Sequence, residues 1–371
     1  MNSGLEVTNV EGIPSPSLLV WPDRVQANLD RMIELVGGDA TRLRPHVKTH
    51  KMEAVVRMQL EAGIHMFKGA TIAELEMCLS CGARDVLLAY PPVGPNQRRL
   101  VQLATKFPEA DIQFVTDEPG AVVAMDSLCE EAGLALGVFI DFDCGMHRTG
   151  TGSVETAVQL AESVVGSGRL RFRGVHTYDG HVRDTSVAQR ESVWSAAMDG
   201  VDRLVEAIEK AGLEVQAVVG GGSPTFGFHA AKRGWQCSPG TTLFWDGGYA
   251  AHFPDLPFAP AAAVLTRIIS KPGSDRLCFD LGSKAIASEN PVDRRVQLIG
   301  LEGARPLMAS EEHFVFEFEE TGRFEVGEAF LGIPYHICPT VALHQEAVLI
   351  RNGEATGETW PVTARNRKLT V

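Results

Sequence analysis

From residue 42 to residue 245 the chain alternates short β-like runs with helix-like patterns, and no other feature restricts its fold so strongly. The β-like runs fall at 42–47, 65–69, 85–90, 112–115, 134–141, 171–178, 215–219 and 236–245. Apolar residues at helical spacing predict helices near 52–62, 71–81, 95–106, 118–132, 153–166, 186–211 and 225–233. Eight strands, each but the last followed by a helix, are the pattern of a parallel (β/α)8 TIM-like barrel, with a doubly wound parallel sheet as the alternative. Beyond about residue 255 helical spacing fades. Short strand-like runs at 263–270, 275–280, 296–301, 313–317 and 347–350 are separated by Gly, Pro and charge. The expected organisation is an α/β barrel over 20–250 and a mostly β domain over 255–371.

A chain of 371 residues with 44% hydrophobic and 22% charged residues can bury a sizeable core and is not disordered. Its net charge of -13 argues for a soluble protein and against nucleic acid as partner. The opening MNSGLEVTNVEGIPSP lacks a basic region followed by an apolar block, and no later run approaches membrane-spanning length. We therefore expect a cytoplasmic protein with no membrane partner. The seven cysteines are odd in number and scattered, which does not suit a disulfide framework. Cys78 and Cys81 form a CxxC on a helical pattern with no second pair nearby, so they read as ordinary buried thiols.

If the barrel forms, its chemistry lies at the C-terminal ends of the strands, and these ends are polar. The first carries Arg44-Pro45-His46-Val47-Lys48-Thr49-His50-Lys51. Pro45 and Val47 favour extended backbone, which would deliver Lys48 to the mouth between His46 and His50. A neighbouring cation is one way to make a lysine amine nucleophilic. Lys68 at the second strand end competes with Lys48, while Lys51 falls at a helix start, where solvent exposure is the ordinary outcome. The seventh and eighth ends carry Gly220-Gly221-Gly222-Ser223-Pro224-Thr225 and Ser238-Pro239-Gly240-Thr241. Adjacent final loops of small residues are the usual phosphate cradle of this fold, so Gly221, Gly222, Ser223, Thr225, Gly240 and Thr241 are the candidate phosphate-binding residues. A lysine and a phosphate cradle at one mouth suit pyridoxal 5'-phosphate.

Arg148, on the loop after the fifth strand, offers a fixed cation to the cofactor or to a substrate carboxylate, or else pairs with Asp141 or Asp143. Tyr178 could stack on the pyridine ring or simply pack. In Pro334-Tyr335-His336-Ile337-Cys338-Pro339-Thr340, an i, i+2 spacing on an extended segment would put His336 and Cys338 on one face. An imidazole with a thiolate suits a divalent metal such as Zn²⁺, with positions left for water or substrate. His344 is a third candidate ligand by proximity alone.

Four of these motifs together, Arg44 to Lys51, Met146-His147-Arg148-Thr149-Gly150, Gly221 to Thr225 and His336 to Thr340, resemble the D-threonine aldolase and D-serine dehydratase group of pyridoxal-phosphate enzymes. That group has the alanine-racemase-like (fold type III) barrel plus β-domain architecture. The resemblance implies that Lys48 binds the cofactor aldehyde, that Arg148 and Tyr178 contact its ring, and that the two small-residue turns bind its phosphate. It implies that His336 and Cys338 hold a divalent metal (Zn, or Mn/Mg), that residues 1–19 contribute a strand to the β domain, and that the enzyme is a homodimer.

The expected activity is a lyase acting on β-hydroxy-D-amino acids, with D-threonine aldolase chemistry preferred. A D-serine or D-3-hydroxyaspartate dehydratase is the close rival, because Cys338 stands where the aldolases usually have aspartate. An amino-acid racemase and a non-catalytic pyridoxal-phosphate carrier are the readings from other classes. His46, His50 or a metal-bound water are the candidate bases.

Overall fold

The structure, a computed structural model, describes residues 4–232 and 234–370. The chain folds as two compact units. One takes in Met32–Lys48, Val56–Gly240 and the tail from Asn366; the other takes in the N-terminal stretch through Arg31, Thr49–Val55 and Thr241–Arg365. The spans of 20–250 and 255–371, drawn from sequence texture, divide the chain at different points.

The first unit is built on seven parallel strands in chain order: Met66–Gly69, Asp85–Leu88, Asp111–Thr116, Leu136–Phe142, Leu170–Thr177, Ala217–Gly220 and Trp235–Cys237. The segment before them closes the ring. Leu43 bridges Cys237 on one side and His46 bridges Lys68 on the other, with Arg44 N donating to Cys237 O and Val47 N to Lys68 O. This segment makes isolated bridges rather than the continuous strand expected at 42–47, because Pro45 has no N–H to give to a ladder. The eighth strand is likewise shorter than the expected 236–245. It ends at Cys237, and Leu243, Phe244 and Trp245 are buried in a turn, so their apolar run reflects burial without pairing.

Neighbours in register share a face of the ring, as do residues two apart on one strand, so the interior reads in layers. At the N-terminal end lies a charged plug. Arg44, 1% exposed, gives Nη1 to Asp85 at 2.5 Å and Nε to Gln236 Oε1 at 2.8 Å, and Arg173 gives Nη2 to Asp111 at 2.6 Å. Above it Leu87, Val115, Phe139 and Val219 form an apolar belt, one residue from each of four strands. Lys68, Asp141 and His176 lie at the C-terminal mouth, with Asp141 and His176 directly opposite each other in register. One backbone irregularity sets that alignment. At Gly174 the pairing shifts by a residue, φ is +139°, and an added Cβ would stand 1.9 Å from Ala217 O.

The second unit is a nine-stranded sheet in the order Arg305–Ala309, Phe314–Glu317, Arg276–Phe279, Ala262–Ser270, Ser17–Val20, Glu346–Arg351 and Glu354–Pro361. The strand Ala329–Pro334 also pairs with Ala262–Ser270 and with Val296–Leu298. Ser17–Val20 lies inside this sheet, antiparallel to Ala262–Ser270 and parallel to Glu346–Arg351. Its inward side chains explain why: Leu19 joins Leu5, Ile13, Trp21, Ala263, Leu265, Ile333 and Ile350 in one buried cluster. Among the described residues no helix is long and apolar enough to cross a membrane. All seven cysteines are free; Cys78 is buried in the helix Ile72–Ser80 and Cys81 caps its end.

Candidate active site

Lys48 is half-buried at the mouth of the ring, with Nζ 5.6 Å from the centroid of the Tyr178 ring. Lys68, its competitor, is 2% exposed and already committed, its Nζ 3.4 Å from His176 Nε2. Access therefore favours Lys48 as the amine that an aldehyde can reach. The two flanking histidines use the same local device. His46 Nδ1 accepts from Lys48 N at 3.3 Å, and His50 Nδ1 accepts from Met52 N at 3.1 Å. Each ring thus has its Nδ1 lone pair taken by the backbone two residues on, which leaves the proton on Nε2. Burial pushes the His50 imidazolium down to about 3, so His50 is a neutral donor at physiological pH, and its buried Nε2 has no hydrogen-bond partner.

Arg148 does not pair with either aspartate. Asp141 is held by His176 Nδ1 at 2.7 Å and Thr149 Oγ1 at 2.8 Å. Asp143 accepts from Gly145 N and His147 N and contacts His147 Nδ1 at 2.9 Å, folding the loop into an Asx-type turn. The Arg148 guanidinium lies instead over the Tyr178 ring at 4.7 Å. The Tyr178 ring therefore neighbours both Lys48 and Arg148, and a small polar cleft runs along it, lined by Asp141, Asp143, Arg148, Thr149 and His176.

The two small-residue turns adjoin, as a phosphate cradle requires. Gly240 N donates to Ser223 Oγ at 3.2 Å, and Ser238 N donates to Gly220 O at 3.1 Å. Thr225 Oγ1 closes the first turn on Gly222 O at 3.3 Å. Gly221 has φ +96°, and a Cβ there would stand 2.3 Å from His229 Cδ2, so the turn is packed too closely for any other residue. The helix that follows, Phe226–Ala231, has only six residues, so the turns' own amides and hydroxyls are the anion donors, and little helix dipole is added. Thr241, expected in the cradle, opens the second unit's main segment and brings Oγ1 to 3.7 Å from Cys338 Sγ of the same unit. An accessible lysine, an aromatic face beside it and a close-packed turn of small residues fit the donor set that pyridoxal phosphate needs.

In the second unit His336 and Cys338 do meet, by a different local geometry from the extended segment expected. His336 is the N-cap of the helix Ile337–Leu343 and Cys338 lies in its first turn, where Pro339 is tolerated because that N–H has no helical partner. Burial alone would lower His336; the hydrogen bond and charge of Cys338, with Asp246 and Glu289, outweigh it and raise the imidazole to about 9. Glu289 Oε1 lies 2.5 Å from His336 Nδ1, and Thr49 Oγ1 lies 3.1 Å from Cys338 Sγ. His344, the third candidate, donates Nε2 to Ala285 O at 2.8 Å. Among the described residues no group of three or more His, Cys, Asp and Glu side chains could hold a metal ion.

Two residues of this region were not legible in the sequence. Asp246, fully buried, accepts from Tyr249 N at 2.8 Å and Ile337 N at 3.1 Å, and burial pushes its carboxyl up to about 6. Glu289 orients His336. A capping pattern of Asp before Gly-Gly-Tyr could have revealed Asp246. Nothing local marks Glu289, which lies 47 residues from its partner.

Comparison with known proteins agrees with this architecture. Residues 20–247 match the alanine racemase N-terminal domain, and residues 261–350 match the serine dehydratase domain. The chain is 26% identical over 370 residues to a 3-hydroxy-D-aspartate aldolase of Paracoccus denitrificans (strain Pd 1222), covering 96% of this chain and 93% of that one. It is 26% identical over 359 residues to a D-threonine aldolase of Arthrobacter sp, covering 95% and 93%. The crystal structure of D-threonine aldolase from Filomicrobium marinum superposes with a TM-score of 0.88 at 27% identity, covering 95% of both chains. The chain thus belongs to the alanine racemase N-terminal domain family, within its D-threonine aldolase and D-serine dehydratase group.

Proposed function

We propose that this protein is a pyridoxal-phosphate-dependent lyase of β-hydroxy-D-amino acids, and that its reaction is retro-aldol cleavage to glycine and an aldehyde. The observation that carries the reading is Lys48, the accessible amine at the barrel mouth, set 5.6 Å from an aromatic ring that Arg148 also covers. When bound, the cofactor supplies an aldehyde for an amine and a conjugated ring that accepts the electron pair of a bond broken beside the amino group. Lys48 provides the amine. Tyr178 supports the ring, Arg148 offers a cation to its phenolic oxygen or to a substrate carboxylate, and the turns at Gly221, Gly222, Ser223, Thr225 and Gly240 offer donors to the phosphate.

His336 and Cys338 would hold the divalent metal, Zn²⁺ or Mn²⁺, whose chemistry is to polarise a hydroxyl oxygen. Thr241, beside Cys338, serves that pair in this reading. His46 and His50 fix the backbone around Lys48, and with their Nδ1 atoms engaged they are poor acceptors for the substrate's proton. The enzyme is further read as cytoplasmic and homodimeric.

Dehydration to a keto acid and ammonia is the second reading, favoured by a cysteine at position 338 and by the second domain's match to the serine dehydratase domain. One experiment separates the two. The holoenzyme is incubated with D-threonine, D-serine and 3-hydroxy-D-aspartate, and the products are identified. Glycine with an aldehyde supports cleavage, keto acid with ammonia supports dehydration, and neither product from any of the three refutes the lyase reading. EDTA should abolish turnover, and Zn²⁺ or Mn²⁺ should restore it. The yellow absorbance of the purified protein should vanish in Lys48→Ala and persist in Lys68→Ala.

A further inference from the structure

Lys68 has no part in the reaction as drawn above, yet it is an amine buried in the molecule's first unit. It is buried at the mouth of the ring, and its nitrogen faces a defined chain of partners. His176 gives its Nδ1–H to Asp141 at 2.7 Å, Thr149 gives its hydroxyl to the other oxygen of Asp141 at 2.8 Å, and the remaining lone pair of His176, on Nε2, points at Lys68 Nζ from 3.4 Å. Burial keeps His176 neutral, with the Lys68 charge adding to that effect. Asp141 stays ionised because His176, Thr149 and Lys68 outweigh its burial. An aspartate thus fixes the tautomer of a histidine, and the histidine presents an acceptor to an amine.

We propose that Lys68 is a positioning residue for the reaction: a buried amine held by His176, and through it by Asp141, whose charge state acts on Lys48. The proposal rests on Lys48 as the cofactor lysine. The groups that face Lys68 are Lys48 and Arg44, which oppose its charge, Asp141 and Asp179, which favour it, and the neutral His176. Burial is the largest influence, and together they bring Lys68 down to about 7, so the switch falls within the working pH of a cytoplasmic enzyme. Below that pH the mouth carries an extra ammonium ion, and above it a neutral amine that can still donate to His176. A lysine that merely filled space would have no such transition.

The test is a pH titration of the purified holoenzyme carrying ¹³C at its lysine ε-carbons, read by NMR, with kcat/KM profiles in parallel. One ε-carbon signal should titrate near 7 and be missing in Lys68→Met. In cofactor-free protein, where the Lys48 amine is free, Lys48→Ala should raise that signal's midpoint by about one unit relative to wild type. In Asp141→Asn it should fall by a similar amount, and the acidic limb of the wild-type kcat/KM profile should move with it. No lysine signal titrating below pH 9, a midpoint unmoved in both variants, or a kcat/KM limb indifferent to Asp141→Asn would each overturn the proposal. If Lys68→Met fails to fold, the two variants that retain Lys68 identify the signal by their opposite shifts. The titration reads the polypeptide itself: a purified protein without cofactor absorbance refutes the Lys48 reading, whereas a missing low titration refutes this one.

Discussion

Replacing Gly221 by alanine should cost the protein about 2–6 kcal/mol of stability and weaken its hold on cofactor, because two independent penalties meet at one atom. Backbone at φ +96° is strained for any residue with a Cβ, which costs about 1–3 kcal/mol. The methyl would also stand 2.3 Å from His229 Cδ2 and 2.6 Å from its Nε2, and forcing such an overlap in a packed interior costs about 1–3 kcal/mol more. His229 cannot give way cheaply. Its Nε2 is bound to Asp179 at 2.8 Å, it stacks on Trp235 at 5.8 Å, and Trp194 meets it edge-on at 5.3 Å. The turn must move instead, and the turn carries Ser223, whose hydroxyl holds Gly240 N.

Urea unfolding followed by tryptophan fluorescence gives the stability, since Trp194 and Trp235 flank the strained histidine. Equilibrium dialysis against pyridoxal phosphate gives the affinity. Gly227→Ala, in the helix Phe226–Ala231 with nothing within 4 Å of the new Cβ, is the control and should be neutral or slightly stabilising. A Gly221→Ala protein within about 0.5 kcal/mol of wild type, with unchanged cofactor affinity, would refute both the strain argument and the assignment of this turn to the cradle.

Two further outcomes follow from contacts already described. Arg44→Met removes the centre of the barrel's charged plug, taking the donor from Gln236 and leaving Asp85 with Gln113 Nε2 at 3.2 Å; because Asp85 also keeps 28% of its side-chain exposure, the loss in urea unfolding should be about 2–3 kcal/mol, at or below the usual range for half of a buried ion pair. Glu289→Gln weakens the group that orients His336, and half-activation of the EDTA-treated enzyme should then need about 10–100-fold more Zn²⁺ or Mn²⁺.

The barrel was readable because parallel strands buried on both faces make continuous apolar runs, and polar residues cluster where those runs end. The reading failed where burial and strand pairing part company. Leu243, Phe244 and Trp245 are as apolar as a strand and as buried, but Pro239 and Gly240 turn the chain before they can pair. Within the site, Lys48 and the two turns could be picked out because each carries its chemistry locally. His336 and Cys338 could be paired from their spacing, but not the helix start that brings them together, since Pro339 reads equally well as a breaker and as a first-turn residue. The Lys68, His176 and Asp141 chain could not be read at all. It joins residues 35 and 108 positions apart, and its alignment depends on the one-residue slip at Gly174.

The place of Ser17–Val20 also bears on how the protein is made. This strand leaves the ribosome well before its two neighbours, Ala262–Ser270 and Glu346–Arg351, which emerge some 240 and 330 residues later. Contacts so far apart in the chain form slowly, whereas each barrel strand finds its next neighbour within a few dozen residues. During translation the barrel can close while the first strand waits unpaired, an apolar edge that a chaperone could shield. Deleting the first twenty residues would not trim a tail; it would pull a plank from the middle of a floor laid last.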